Sequence, residues 1–172
     1  WLSSLLEGKA SIPGIPLDQD RRWEVLEAWS RMPSRDPEKF AAALAREEKR
    51  DSTDSGKKWL LSIQAATASG ESKLRTFERA ISEKTSFSEL RELAGSFSWL
   101  GQESLHPWLA DRYFAELPKV IAQRSNEEAA SFAAGFFPYS CEGSPAPQLE
   151  QLLQAGSTLP ASVLRTLQSV RE

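Results

Sequence analysis

Apolar residues along this chain recur three and four positions apart, and nowhere do they alternate convincingly with polar ones over the length of a strand. The longest such stripe lies in residues 104–124, SLHPWLADRYFAELPKVIAQR, where Leu105, Trp108, Leu109, Tyr113, Leu117, Val120 and Ile121 share one face of a helix. Ser104 is the expected N-cap, with Pro107 in the first turn, where its missing N–H removes no bond. Pro118 falls inside the helix, deletes the bond to the Phe114 carbonyl and predicts a kink. The stripe reads as core packing, the ordinary way of burying a helix.

The remaining segments follow the same period. Asp18 or Asp20 offers an N-cap for a helix over 21–32, with Val25, Leu26, Trp29 and Met32 on one side, Trp23 close by, and Pro33 as its stop. Asp36 and Pro37 open the next, anchored by Phe40 and Leu44. The run 46–56 carries both signs of charge and reads as a solvated helix end and loop. Trp59, Leu60, Ile63 and Ala66 define a helix to about residue 69, closed by Gly70, and Leu74, Phe77 and Ile81 mark another. Ser86 and Glu89 form a capping-box pattern ahead of Phe87, Leu90, Leu93, Ala94, Phe97 and Leu100. Asn126 is expected to cap a helix carrying Glu127 and Glu128 in its first turn and Ala129, Phe132, Ala133 and Phe136 on its face, with Pro138 as its stop. After a turn-rich stretch, 139–147, two short helices carry Leu149, Leu152 and Leu153, then Val163, Leu164, Leu167 and Val170 behind Pro160. The fold class is all-α.

Expected helix starts near 18, 36, 54, 72, 86 and 104 recur at nearly even spacing, so that a helix pair repeats about every 35 residues. Antiparallel helix pairs stacked as a curved HEAT- or armadillo-like superhelix give that spacing, and an irregular bundle gives something similar. The residues 12–16, IPGIP, form a non-helical link. The chain opens at Trp1 without Met, with Leu2, Leu5 and Leu6 already in helical register. It therefore reads as part of a longer polypeptide, with 1–17 as the end of a preceding helix and a linker, and 18–172 as a helical domain.

Composition narrows the function. With 172 residues, 40% hydrophobic, and a net charge of −3, the chain suits one globular domain. Lys and Arg are scattered rather than gathered in a stripe, which argues against nucleic acid as a partner. No apolar run approaches the roughly 18–20 residues of a membrane span. The lone Cys141 makes no disulfide framework, which favours a cytoplasmic over a periplasmic or extracellular location. One histidine, His106, cannot build H-E-x-x-H or a cluster of metal-ligand spacing, and it reads as a surface or capping residue. Glycine-rich phosphate loops are absent, and the paired carboxylates Asp18 with Asp20 and Glu127 with Glu128 lie where helix N-termini favour negative charge. The sequence thus offers no catalytic residue, no cofactor-binding residue and no metal ligand.

An ordered set of short motifs carries more. A glycine-containing link precedes Asp18, Arg22 and Trp23; a run of type R-D-x-T-x-x-G spans 50–56; Lys73 precedes the aromatic Phe77; Tyr113, Phe114 and Pro118 stand in a Y-F-x-x-L-P helix; Arg124 and Ser125 follow; and Phe137 and Pro138 close a helix. In this colinear order, ending on LPASVLRTLQSVRE, the chain resembles the C-terminal helical domain of the bacterial aminopeptidase N family of zinc metallopeptidases. Phe77 stands where relatives often carry Trp.

That resemblance implies a solenoid-like bowl that closes over an upstream catalytic domain of the same polypeptide, encloses a cavity and limits access to peptide substrates. The catalytic domain of the family carries G-x-M-E-N and H-E-x-x-H with a distant Glu, which hold the substrate amine and zinc. None of these motifs occurs in residues 1–172. The expectation is a zinc aminopeptidase whose present segment caps the cavity without catalysing. A free-standing α-solenoid scaffold for protein partners is the alternative, and a helical nucleic-acid repeat is the third reading, disfavoured by charge.

Overall fold

The computed structural model describes residues 1–139, 146–154 and 159–170. Ten α-helices are present among them: α1 Leu2–Leu6, α2 Gln19–Ser30, α3 Pro37–Arg50, α4 Asp54–Ala66, α5 Gly70–Ile81, α6 Phe87–Phe97, α7 Leu109–Gln123, α8 Asn126–Gly135, α9 Ala146–Gln154 and α10 Ala161–Ser169. A 3-10 turn, Glu103–Leu105, precedes α7. No strand occurs among the described residues, where Ile12 and Ile15 alone form an isolated antiparallel bridge across the Pro13–Gly14 turn.

Side-chain caps set most of the starts. Asp18 accepts from the Arg21 N–H, Asp36 from Glu38 and Lys39, Thr53 from Gly56, and Ser69 from Ser72. Ser86 with Glu89 and Ser125 with Glu128 form complete capping boxes. Four sequence expectations shift here. Ser125 caps α8, so Asn126 is its first residue. Gly70 does not stop α4, which ends at Ala66, and instead opens α5. Ser104 lies in the 3-10 turn, and α7 begins only at Leu109, because His106 turns away from helical geometry before Pro107. The buried face of α5 carries Ser72, Lys73, Thr76, Phe77 and Ala80, while Leu74 faces solvent. Pro118 lies inside α7, and Cys141 falls outside the described residues.

The even-numbered helices form a row: α2 packs on α4, α4 on α6, α6 on α8, and α8 on α10. The odd-numbered helices lie beside it, with α3 against α2 and α4, α5 against α4 and α6, α7 against α8, and α9 against α10. Two layers joined by short links are what stacked helix pairs produce. The core has two parts. Trp23, Leu26, Trp29, Phe40, Ala43 and Ile63 fill the first, with Leu2 and Leu6 of α1 packed against it. The second runs from Ala65 and Phe77 through Leu93, Tyr113 and Phe132 to Val163 and Leu167. Phe77, Phe97, Phe132 and Phe136 meet at centroid distances of 4.7–5.8 Å.

Candidate functional site

Between the end of α6 and the segment that follows α8, a cleft of about 580 Å³ is lined by Ser98, Trp99, Leu100, Glu103, His106, Phe137 and Tyr139. Its rim is apolar and open to solvent: Leu100 is 80% exposed, and Trp99 and Tyr139 are each about half exposed. The Arg31 guanidinium, paired with Glu27 at 3.0 Å, lies 3.8 Å over the Trp99 ring. The turn bearing Trp99 is tied by Gln102 N–H to the Trp99 carbonyl (3.1 Å) and by Gly101 N–H to the Glu103 carboxylate (3.2 Å).

Beneath the cleft sits a fully buried lysine. Lys73 Nζ donates to the carbonyls of Ala65 (2.7 Å) and Phe97 (2.5 Å), in the last turns of α4 and α6, where the helix dipoles present negative ends. Burial, followed by the positive Arg31, pulls its ammonium down to about 7. His106 is also buried. Its imidazole stacks on Phe97 at 5.6 Å, the same ring that Lys73 Nζ approaches at 5.0 Å, and burial followed by the Lys73 charge lowers its proton affinity. The surface or capping role expected for His106 is therefore replaced by an aromatic stack. Gln102 closes the group, its amide donating to the carbonyls of Arg31 (3.2 Å) and Ala66 (3.3 Å), with Oε1 buried and without a hydrogen-bond partner.

Of the motif residues, Lys73 lies beneath the cleft and Phe137 lines it; others lie elsewhere, in three separate locks. Asp18 caps α2; Arg22 pairs with Glu47 at 2.8 Å; and Trp23, with no exposed surface, donates from Nε1 to Asp51 at 2.8 Å. Asp51 also accepts from the Thr53 hydroxyl (2.6 Å) and N–H (3.1 Å); the hydroxyl bond, then that from Trp23, then the Thr53 N–H hold its carboxyl down at about 2. Most of the run 46–56 is exposed, as expected of a helix end and loop, but Glu47, Asp51 and Gly56 are buried: these two carboxylates face inward because Arg22, Trp23 and Thr53 satisfy them. In the second lock the Tyr113 hydroxyl donates to the Ala133 carbonyl at 2.8 Å, and Phe114 packs edge-on against the Tyr113 ring. Burial pushes the Tyr113 phenol upward in pKa. Pro138 is buried next to Phe137, which meets Tyr113 at 5.7 Å. In the third lock Arg124, its side chain 5% exposed, donates to the carbonyls of Ala80, Ser82 and Thr85 and pairs with Glu128. Asp18, Arg22, Trp23, Tyr113, Phe114, Pro118, Arg124 and Pro138 do not line the cleft, whereas Phe137 does.

A family model described as the ERAP1-like C-terminal domain matches residues 1–172. The chain belongs to this family. It is 28% identical over 139 residues to Aminopeptidase N of Streptomyces lividans, an alignment that covers 80% of this chain and 16% of that protein. The chain thus spans about a sixth of the length of the curated relative it matches. It is a C-terminal domain of the aminopeptidase N family. For an ERAP1-like C-terminal domain, the geometry of the cleft supports binding better than catalysis. Ser98 Oγ is given to the Gly135 carbonyl at 3.2 Å, and the His106 ring is held flat on Phe97. Among the described residues no group of three His, Cys, Asp or Glu side chains could hold a metal ion. The described residues therefore offer no donor set that fits zinc. No helix among the described residues is long and apolar enough to cross a membrane.

Sequence periodicity missed the cleft and the buried cations. Lys73 and Thr76 share a helical face with Phe77 and Ala80, but a count of apolar residues rotates that face toward Leu74. The spacing of Lys73 from Phe77 and Ala80 was the available signal.

Proposed function

We propose that this domain caps the catalytic cavity of a zinc aminopeptidase that removes N-terminal residues from peptides, and that it controls peptide access without catalysing. In this reading zinc sits in an upstream catalytic domain of the same polypeptide, residues 1–17 are the end of a preceding helix and the linker, and 18–172 form a curved superhelical cap. The match of the whole chain to a C-terminal domain family, with a relative named as an aminopeptidase, carries the reading. The Trp99 cleft supports it by offering an apolar, half-open surface on which a peptide side chain would be buried. The α-solenoid scaffold shares the fold and is separated by activity.

The test uses the full-length polypeptide carrying Trp99→Ser and Leu100→Ser. Losing about one buried apolar side chain's worth of contact, ~1.5 kcal/mol, lowers kcat/KM for long peptides about tenfold relative to a leucyl arylamide, while the arylamide rate is kept. An unchanged ratio contradicts a peptide-facing role for the cleft, and absence of any aminopeptidase activity contradicts the reading as a whole.

A further inference from the structure

We propose that Lys73 and His106 form a proton-controlled latch under the Trp99 cleft: the packed site accepts one of the two protons, and the second releases His106 from Phe97 and opens the turn that carries Trp99 and Leu100. This does not depend on the peptidase reading.

The argument is one of charge and attachment. Both basic side chains contact the same residue, Phe97, one through its carbonyl and ring, the other through its ring. Lys73 is the better proton holder, since two helix C-terminal carbonyls accept from it whatever the cleft does. His106 keeps 8% exposure on the cleft wall and can reach water by turning outward. The surrounding charges do not balance a second cation. From α2, Arg31 adds a positive charge, and its carboxylate partner Glu27 also takes the Ser96 hydroxyl. From the 3-10 turn, Glu103 favours a charged His106 but is engaged by the Gly101 N–H. From α7, Arg112 lies 5.7 Å from the Trp108 ring and is paired with Glu78 of α5. Tyr139 lines the cleft mouth as a neutral phenol, raised further by burial.

Opening has a short lever. Phe97 is the last residue of α6, and the Trp99 turn begins immediately after it. Once the His106 ring leaves Phe97, the floor of the cleft is lost, and what holds the Trp99 turn is Arg31 on the Trp99 ring, the Gln102 and Gly101 bonds within the turn, and the exposed Ser98 bond to Gly135. A neutral Lys73 amine still has two N–H groups for its two carbonyls, so the helices α4 and α6 stay joined throughout. The movement is confined to the turn.

His106 is the single histidine of the chain, so its Cε1–H resonance is unambiguous in the 172-residue protein. It is titrated by NMR alongside the Trp99 indole N–H, assigned by its loss in Trp99→Phe. The latch predicts a His106 midpoint below 6.5, with the Trp99 resonance moving at that same midpoint. In Lys73→Met the His106 midpoint rises by about one unit, the size expected on removing a nearby like charge. In His106→Gln the Trp99 resonance is flat across the same range. If Lys73→Met does not fold, the wild type and His106→Gln decide the matter between them. A Trp99 resonance that ignores the His106 titration, or one that still moves in His106→Gln, overturns the proposal.

Discussion

Asp51 is an acid-sensitive joint. The Thr53 and Trp23 donors hold its carboxyl at about 2, below an ordinary 3.8. The folded state therefore releases this proton more readily than the unfolded chain. The stability it contributes is complete above 3.8 and is lost as pH falls toward 2. Thermal unfolding followed from pH 5 to pH 2 should show that loss, and Asp51→Asn should reduce it, leaving the part due to the other carboxyls held low, among them Asp36 at its cap and Glu89 and Glu128 in their capping boxes. Lys73 works in the opposite range. Its folded ammonium titrates near 7 against an ordinary 10.5, so the unfolded chain binds the proton more tightly between those values. Stability from this site rises with pH from about 7 to 10.5. Urea unfolding at pH 7 and pH 10 should show the rise in wild type, and Lys73→Met should lose it; an identical slope in the two would mean that the lysine is not the titrating group.

At the scale of elements, helices were readable and their neighbours were not. The capping box at Ser86 and the Asp36–Pro37 start stand where the sequence places them, because those signals act within one turn. Ser104 misled because His106 is drawn into a stack on Phe97, a contact nine residues away in sequence that no local rule contains. Within the mostly exposed run 46–56, Glu47 and Asp51 depart from expectation for a similar reason: they are buried against Arg22 and Trp23, residues of another helix. Close helix approach was equally hidden. A Cβ on Gly135 would stand 2.3 Å from the Ala94 Cβ across the α6–α8 contact, and one on Gly56 would stand 2.4 Å from the Asp51 carbonyl oxygen. Neither neighbour is the end of a flexible side chain. Gly135→Ala and Gly56→Ala should each destabilise by ~1–3 kcal/mol in urea unfolding, whereas alanine at Gly95, with nothing within 4 Å, should be tolerated.

Across the whole molecule, the row α2, α4, α6, α8 and α10 makes a continuous support, and the motif residues are spent on holding it together. That is why the residues most useful for recognising the family say little about what the domain touches. The open apolar surface lies at the Trp99 turn, to which the motifs contribute only Phe137. The division of labour between this domain and the rest of a longer polypeptide is the central claim. It is tested most directly by zinc content and by hydrolysis of alanyl and leucyl arylamides, measured before and after chelation on the full-length polypeptide and beside the 172-residue chain alone. The account predicts about one zinc per polypeptide and activity abolished by chelation, as a single catalytic metal requires, with none in the 172-residue chain. A full-length protein that binds no zinc and cleaves neither substrate, or a 172-residue chain that hydrolyses them by itself, would contradict it.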